Sequence, residues 1–248
     1  MLSALEYRIL KWISPLAKDR LTGEAYAGKS KVRVLLGDRT MEELKGKVVI
    51  DFGCGEGHEA VDMALAGAKK VIGIDIRPWI LEKARAVARQ AGVLAVCEFS
   101  EQTEELADVV VSLDSFEHFA DPEAMLDKMF VLLKPGGVLA ASFGPTWYHP
   151  LGGHFFSFPF PWAHLVFTEK ALVRWRQDIK HDGIRRFSEV DGGLNQMTIR
   201  RFERIVQRSR FEVETIEAVP IRKLRRLHNR ITREFTSAIV RCRLRRPQ

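Results

Sequence analysis

Short β-branched apolar runs alternate along this chain with stretches in which apolar residues recur every three or four positions. Lys47–Ile50, Lys70–Asp75, Leu94–Phe99, Asp108–Leu113 and Val138–Phe143 read as buried strands. Three helical patterns lie between them. The first is Glu59–Leu65, with Ala60, Val61, Ala64 and Leu65 apolar. The second opens at Arg77 and Pro78 and carries Ile80, Leu81, Ala84 and Val87 on one face. The third starts at Asp121 and Pro122 and holds Met125, Leu126, Met129 and Leu132. This alternation predicts a parallel sheet with helices on both faces. Farther along, Thr168–Ile179 and Thr198–Arg208 read as threonine-capped helices. Phe211–Val219 and Phe235–Arg243 read as sixth and seventh strands, joined by the basic connector Ile221–Arg230. Met1–Pro15 reads as an amphipathic cap helix without a signal-peptide layout, since Tyr7, Arg8, Lys11 and Trp12 interrupt its apolar face. No apolar run reaches transmembrane length without charge.

The pattern breaks after the fifth strand. Residues 144–167 hold Pro145, Pro150 and Pro161 among Trp147, Tyr148, Phe155, Phe156, Phe158, Phe160, Trp162 and Phe167, with His149, His154 and His164. That is too proline-rich for a helix or central strand and too long for an ordinary turn. It follows a strand at the carboxyl edge of the sheet, where open α/β sheets bind ligands. Residues 144–197 are therefore expected to form a substrate-covering insertion.

Candidate chemistry begins where the first strand ends. Asp51 is followed by Phe52-Gly53-Cys54-Gly55-Glu56-Gly57 and then a helix, an arrangement that brings backbone N–H groups close to a ligand. A dinucleotide loop would carry glycines at 53, 55 and 58. Position 58 is His58, and the third glycine is Gly57. Asp75 ends the second strand about 20 residues past the glycines, the distance at which a carboxylate can accept both hydroxyls of a ribose.

Asp51 with Gly53, Gly55 and Gly57, then Asp75, then Leu113-Asp114-Ser115-Phe116-Glu117-His118 and Leu132-Leu133-Lys134-Pro135-Gly136-Gly137, resemble in order the motifs of the class I S-adenosylmethionine-dependent methyltransferases. The likeness spans Val48 to Phe143. Within the family it is nearest to the group that includes quinone-biosynthesis and many natural-product or sugar methyltransferases. The resemblance implies an α/β, Rossmann-like, doubly wound sheet of seven strands, mostly parallel with the seventh antiparallel. It implies S-adenosyl-L-methionine as cofactor and S-adenosyl-L-homocysteine as product. Asp51 would lie near the methionine amino group, and Phe52, Gly53, Cys54, Gly55 and Gly57 would pack along the cofactor. Asp75, with Ile76 beside it, would meet the ribose. Phe99 and Glu101 would serve the adenine, and Asp114 would complete the pocket. Residues 1–45 would form a helical cap or lid, with Tyr26 touching the cofactor, ahead of a methyltransferase domain over 46–248.

Methyl transfer to a hydroxyl needs a group to remove its proton, and histidine suits that task near neutral pH. His154 is the favoured base and His149 the second choice. His118 is the third candidate, with a structural or cofactor-side role as its alternative. The spacing of His149, His154 and His164 fits no common metal site, so no metal is expected. Trp147, Tyr148 and Trp162 either line an apolar pocket or form a small satellite core.

Composition adds one asymmetry. The chain has 248 residues and a formal net charge of +7. Residues 1–143 hold 18 Lys and Arg against 22 Asp and Glu, whereas residues 144–248 hold 21 against 10. The basic half, with Arg222–Arg226 and Arg241–Arg246, is either a solvated basic face or a site for an anionic partner: nucleic acid, a phosphorylated, carboxylated or lipid-linked glycan substrate, or a membrane surface. Cys54, Cys97 and Cys242 fit reduced thiols in a cytoplasmic protein, with Cys54 read as packing. The leading expectation is O-methylation of a small molecule. RNA methylation is the second reading, and a non-catalytic cofactor-binding protein the third. Nucleic acid is disfavoured because Leu113-Asp114-Ser115-Phe116 lacks the paired prolines of amino-directed nucleic-acid methylases. Oligomeric state stays open.

Overall fold

The computed structural model describes residues 2–13, 28–154, 160–190 and 193–248. Helices α1 (Leu2–Ile13), α2 (Lys31–Leu36) and α3 (Asp38–Glu43) precede the sheet. Then follow β1 (Val48–Phe52), α4 (His58–Leu65), β2 (Lys70–Ile74), α5 (Pro78–Gln90), β3 (Cys97–Ser100) and β4 (Ala107–Leu113). After α6 (Pro122–Val131) and β5 (Leu133–Phe143) come α7 (Ala163–Val166), α8 (Glu169–Lys180) and α9 (Ile199–Arg208). The chain closes with β6 (Glu212–Pro220), α10 (Arg233–Thr236) and β7 (Ser237–Arg245).

The seven strands form one sheet in the order β3-β2-β1-β4-β5-β7-β6. Strands β1 to β5 are parallel, and β7 is antiparallel to both β5 and β6. Alternation along the strands builds the two layers. Val49, Val71, Val109 and Val111 enter the core with α2, α3, α4 and α5. Ile50, Ile72 and Val110 face the other way, into the core with α6 and α9.

A third core stands apart. Leu10 of α1 is buried with Leu172 and Trp175 of α8 and with Ile184, Phe187 and Leu194, and Trp147 packs at its edge. Tyr7 donates to Asp178 at 2.7 Å. The amino-terminal helix thus docks on the insertion, and its outer face leaves Leu2, Leu5, Ile9 and Trp12 exposed. Tyr26, Phe155, Phe156 and Phe158 lie outside the described residues.

Several details differ from expectation, and the fifth strand starts at Leu133 rather than Val138. The third strand starts at Cys97, because left-handed Gly92 and a Val96-to-Val93 turn take up the preceding residues. The seventh starts at Ser237, because Phe235 belongs to α10. Thr168 does not cap α8 with its side chain; its hydroxyl donates to Glu6 at 2.5 Å. Thr198 does cap α9, accepting from the Arg201 amide. Among the described residues no helix is long and apolar enough to cross a membrane.

Glu234, buried in α10, accepts from the amides of Ile199 and Arg200 at 3.0 and 2.9 Å and so closes the first turn of α9. Glu234→Ala strands those donors, and we expect it to lower unfolding stability by about 2–4 kcal/mol. A urea titration measures this; an unchanged midpoint would remove the capping role.

Candidate functional site

The order of the strands places β1 between β2 and β4, where the chain's path across the sheet reverses. A crevice opens there at the carboxyl ends of the strands. The glycine turn fills one side of it. Gly53, Gly55 and Gly57 have φ of 87°, 51° and 80°, left-handed values that side chains disfavour. A Cβ on Gly53 would meet Ser115 Oγ at 2.6 Å, and one on Gly57 would meet Ala84 Cβ at 2.8 Å. A Cβ on Gly55 would meet nothing within 4 Å, so that backbone borders open space. Gly53 and Cys54 amides donate to Ile74 carbonyl at 2.8 and 2.9 Å, which ties the turn to β2. The Cys54 thiol is buried, and burial raises its pKa. Phe52, also buried, packs edge-on against Phe119 beneath the crevice.

Carboxylates crowd this edge. Asp51 is buried, and desolvation followed by the Glu59 charge raises its pKa well above the usual range. Its Oδ2 has no hydrogen-bond partner among the described residues. Asp114 ends β4 at φ 46°. Lys31 of α2 reaches in, 2.7 Å from Asp114 Oδ2 and 3.8 Å from Glu59. Asp75 accepts from the Gly55 amide at 3.1 Å and from the Arg77 amide at 3.1 Å. The Arg77 guanidinium adds bonds of 2.9 and 3.0 Å. Burial opposes ionisation of Asp75, but these Arg77 contacts outweigh it and lower the pKa. Each Asp75 oxygen therefore already accepts two bonds, and a ribose can engage them only if the guanidinium moves aside.

One expected adenine residue needs correcting. Phe99 is buried, its ring pressed beneath Gly57 and Gly73, so it supports the turn and offers no face to a ligand. Glu101 is exposed just past β3. Ile76 is likewise exposed, at 84%, immediately after Asp75.

The turn after β4 carries a group that the motif contained and the sequence reading left unassigned. Glu117 is buried, accepts from the Gly144 amide at 3.0 Å, and its Oε2 has no partner among the described residues. Desolvation, with the Asp114 charge, pushes its pKa up to about 8. Asn195 holds this turn by donating to the carbonyls of Phe116 and Phe119 at 2.7 and 2.8 Å. Lys31 was missed because no motif marks it: folding alone brings α2 to the crevice.

The histidines separate into three settings. His118 and His154 meet edge to face, with ring centroids 5.5 Å apart. Nδ1 of His118 contacts Gly193 carbonyl at 2.9 Å. Burial lowers the pKa of both, and His154 falls to about 4 with His118 as a second cause. His149 lies in its own turn, where Nδ1 accepts from the Leu151 amide at 2.9 Å; burial takes its pKa to about 4. His164 is buried against Trp147, with Nε2 2.6 Å from Trp147 carbonyl, and it anchors the insertion. Trp162 Nε1 donates to Tyr148 carbonyl at 2.9 Å.

A buried carboxylate oxygen without a partner, an open wall at Gly55 and a second carboxylate at the end of β2 fit a ligand with a cationic end and a diol. S-adenosylmethionine has both.

Comparison with known proteins agrees. Residues 43–145 match the family described as "Methyltransferase domain". A ubiquinone biosynthesis O-methyltransferase of Neisseria meningitidis is 33% identical over 141 residues, covering 54% of this chain and 52% of that protein. A ribosomal protein L11 methyltransferase of Photobacterium profundum is 42% identical over 106 residues, covering 41% of this chain and 35% of that protein. The chain thus spans about a third to a half of these curated relatives. An S-adenosylmethionine-dependent methyltransferase from Mesorhizobium loti superposes with a TM-score of 0.58 at 19% identity, over 89% of this chain and all of that one. The [4+2]-cyclase SpnF superposes with a TM-score of 0.55 at 16% identity, over 85% of this chain and 82% of that one. These two likenesses establish the fold.

Glu117 gives a pH test with a definite sign. Its folded pKa of about 8 lies above the ordinary 4.5, so the wild type loses stability as pH rises from about 4.5 to 8. Glu117→Gln carries no such penalty. Relative to wild type, its melting temperature should match near pH 4 and pull ahead by several degrees near pH 8; a constant difference would contradict the buried-carboxyl assignment.

Proposed function

We propose that this chain, whose residues 43–145 form a class I S-adenosylmethionine-dependent methyltransferase domain, methylates a hydroxyl oxygen of a small molecule. The observation that carries the cofactor reading is the buried, unpartnered Asp51 carboxylate oxygen beside the open wall at Gly55. Oxygen as acceptor is supported by the ubiquinone biosynthesis O-methyltransferase relatives, over the half they share with this chain. The histidine pair at the insertion supports it from chemistry.

When bound, the cofactor supplies a methyl group activated by its sulfonium charge for in-line displacement. The chain's residues bind and align. Asp51 holds the ammonium end. Gly53 and Gly55 let the backbone lie against the ligand. Asp75 accepts the ribose hydroxyls once Arg77 swings out, and Ile76 covers the adenine. Lys31 keeps Asp114 compensated. His154 takes the acceptor's proton, and His118 fixes the ring by edge contact. A base with a pKa of about 4 is neutral at pH 7 but weak. It suits an acidic hydroxyl, such as a phenol near pKa 10, better than an alcohol. A phenolic or enolic small molecule is the acceptor that fits such a base.

Calorimetry with S-adenosylhomocysteine should give Asp51→Asn and Asp75→Ala about 10- to 100-fold weaker binding. No binding by the wild type would overturn the cofactor assignment.

His154→Ala should cut kcat on a phenolic acceptor about 10²- to 10⁴-fold while leaving cofactor binding intact. In the wild type, activity needs the neutral ring, so kcat/KM should stay level down to roughly pH 5 and fall only toward pH 4. An acid limb near pH 6.5 would rule out His154 as the base.

A further inference from the structure

The two basic segments of the carboxyl-terminal half have different fates. On β7, Arg241 pairs with Glu217 at 2.8 Å, and Arg243 pairs with Glu214 and Glu43 at 2.5 and 2.8 Å. Arg245 also pairs with Glu214. Arg246 donates to the carbonyls of Phe130 and Leu133. These arginines staple the sheet edge and are not available to an anion. The connector between β6 and β7 is otherwise. Arg222, Lys223, Arg225, Arg226 and Arg230 are exposed, and among the described residues none comes within 4.0 Å of a carboxylate.

The same connector exposes apolar side chains. Ile231 is 84% accessible, Leu227 62% and Phe235 44%. Three such groups inside a patch of five unpaired cations cannot be accounted for by solubility alone. Strand directions say where the patch lies. Because β7 runs antiparallel to both β5 and β6, β6 runs with β5 and ends at the edge that carries the glycine turn. The Tyr148 ring packs at a tilt against Phe235, with centroids 5.1 Å apart, which joins the connector to the insertion.

We propose that the connector, residues 221–236, docks on the surface of a bilayer containing anionic phospholipid, with its apolar side chains in the headgroup region and its cations on lipid phosphates. The aliphatic residues decide between anionic partners. Leu227 and Ile231 gain nothing from a phosphodiester backbone, and neither presents the aromatic face on which nucleic-acid bases stack. A headgroup boundary buries them while satisfying the charges around them. Docking turns the crevice mouth toward the membrane, so an apolar acceptor can reach it without crossing water. The binding readout stands apart from methyl transfer, so either proposal can fail alone.

Flotation of the full chain with vesicles of equimolar phosphatidylglycerol and phosphatidylcholine tests it, against vesicles of phosphatidylcholine alone. The protein should float with the anionic vesicles only, and release should grow as salt is raised to about 0.5 M. Arg225→Ala/Arg226→Ala should weaken binding about 25-fold, at about fivefold per charge. Ile231→Ser should weaken it roughly tenfold. Both variants alter exposed positions and should melt with the wild type. Equal flotation with both vesicle types, no flotation with either, or wild-type binding by both variants would overturn the proposal. So would failure to float together with tight binding of single-stranded RNA.

Discussion

Backbone and side chains leave no spare room beneath the glycine turn, and the crevice depends on that closeness. A Cβ on Gly57 would lie 2.8 Å from Ala84 Cβ, and one on Gly73 would lie 2.6 Å from the Phe99 ring. The turn, α5, β2 and β3 can approach one another only because the residues at these contacts are small or absent on one side. The buried Phe99 ring fills the space below, and the amides of Gly53 and Cys54 hold the turn to Ile74. With three sides closed in this way, Gly55 remains as the stretch of backbone that faces open space. A single methyl group at 53 or 57 would move the turn, and with it the position of Asp75 relative to Asp51.

Much of this was legible from the chain. Strands in a sheet covered on both faces are apolar along their whole length, so β1, β2, β4 and β5 stood out against helices of period near 3.6. Glycine spacing and a carboxylate at ribose distance are local features, and they pointed to the cofactor crevice. What was not legible depends on contacts between distant residues. Lys31 lies far before the glycine turn in sequence, and nothing in its surroundings marks it as the cation that meets Asp114. Thr168 has the residue type of a cap, but Glu6, 162 positions away, takes its hydroxyl. Phe99 looked available for stacking because sequence does not say which side of a short strand is buried. The arginines of β7 and of the connector look alike in composition, and only the register of β6 on β7 separates paired from unpaired.

Charge within the crevice follows from the same geometry. Asp51, Glu59, Asp75, Asp114 and Glu117 gather at one edge, with Lys31 and Arg77 between them. Little water screens them, so repulsion and desolvation act together, and Asp51 and Glu117 both move toward their protonated forms. A ligand bearing positive charge relieves that repulsion, and one lacking it does not. S-adenosylmethionine carries an ammonium and a sulfonium, and loss of the methyl group removes the second of these charges. Under the proposed function, such a field would favour the donor over its spent product.

The rim has the opposite sign. Five exposed cations lie in the connector, which meets the insertion where Phe235 packs against Tyr148. In water alone, those opposite charges would draw together, and the β7 arginines show the result: each finds a glutamate on a neighbouring element. Five cations of the connector escape this because its own carboxylate, Glu234, is turned inward to cap α9, and Glu203 of α9 is taken by Arg233. The capping bond that closes a helix thus also withdraws the connector's own carboxylate from its exposed cations, and the stability of the sheet edge and the charge of the rim are set by the same few residues.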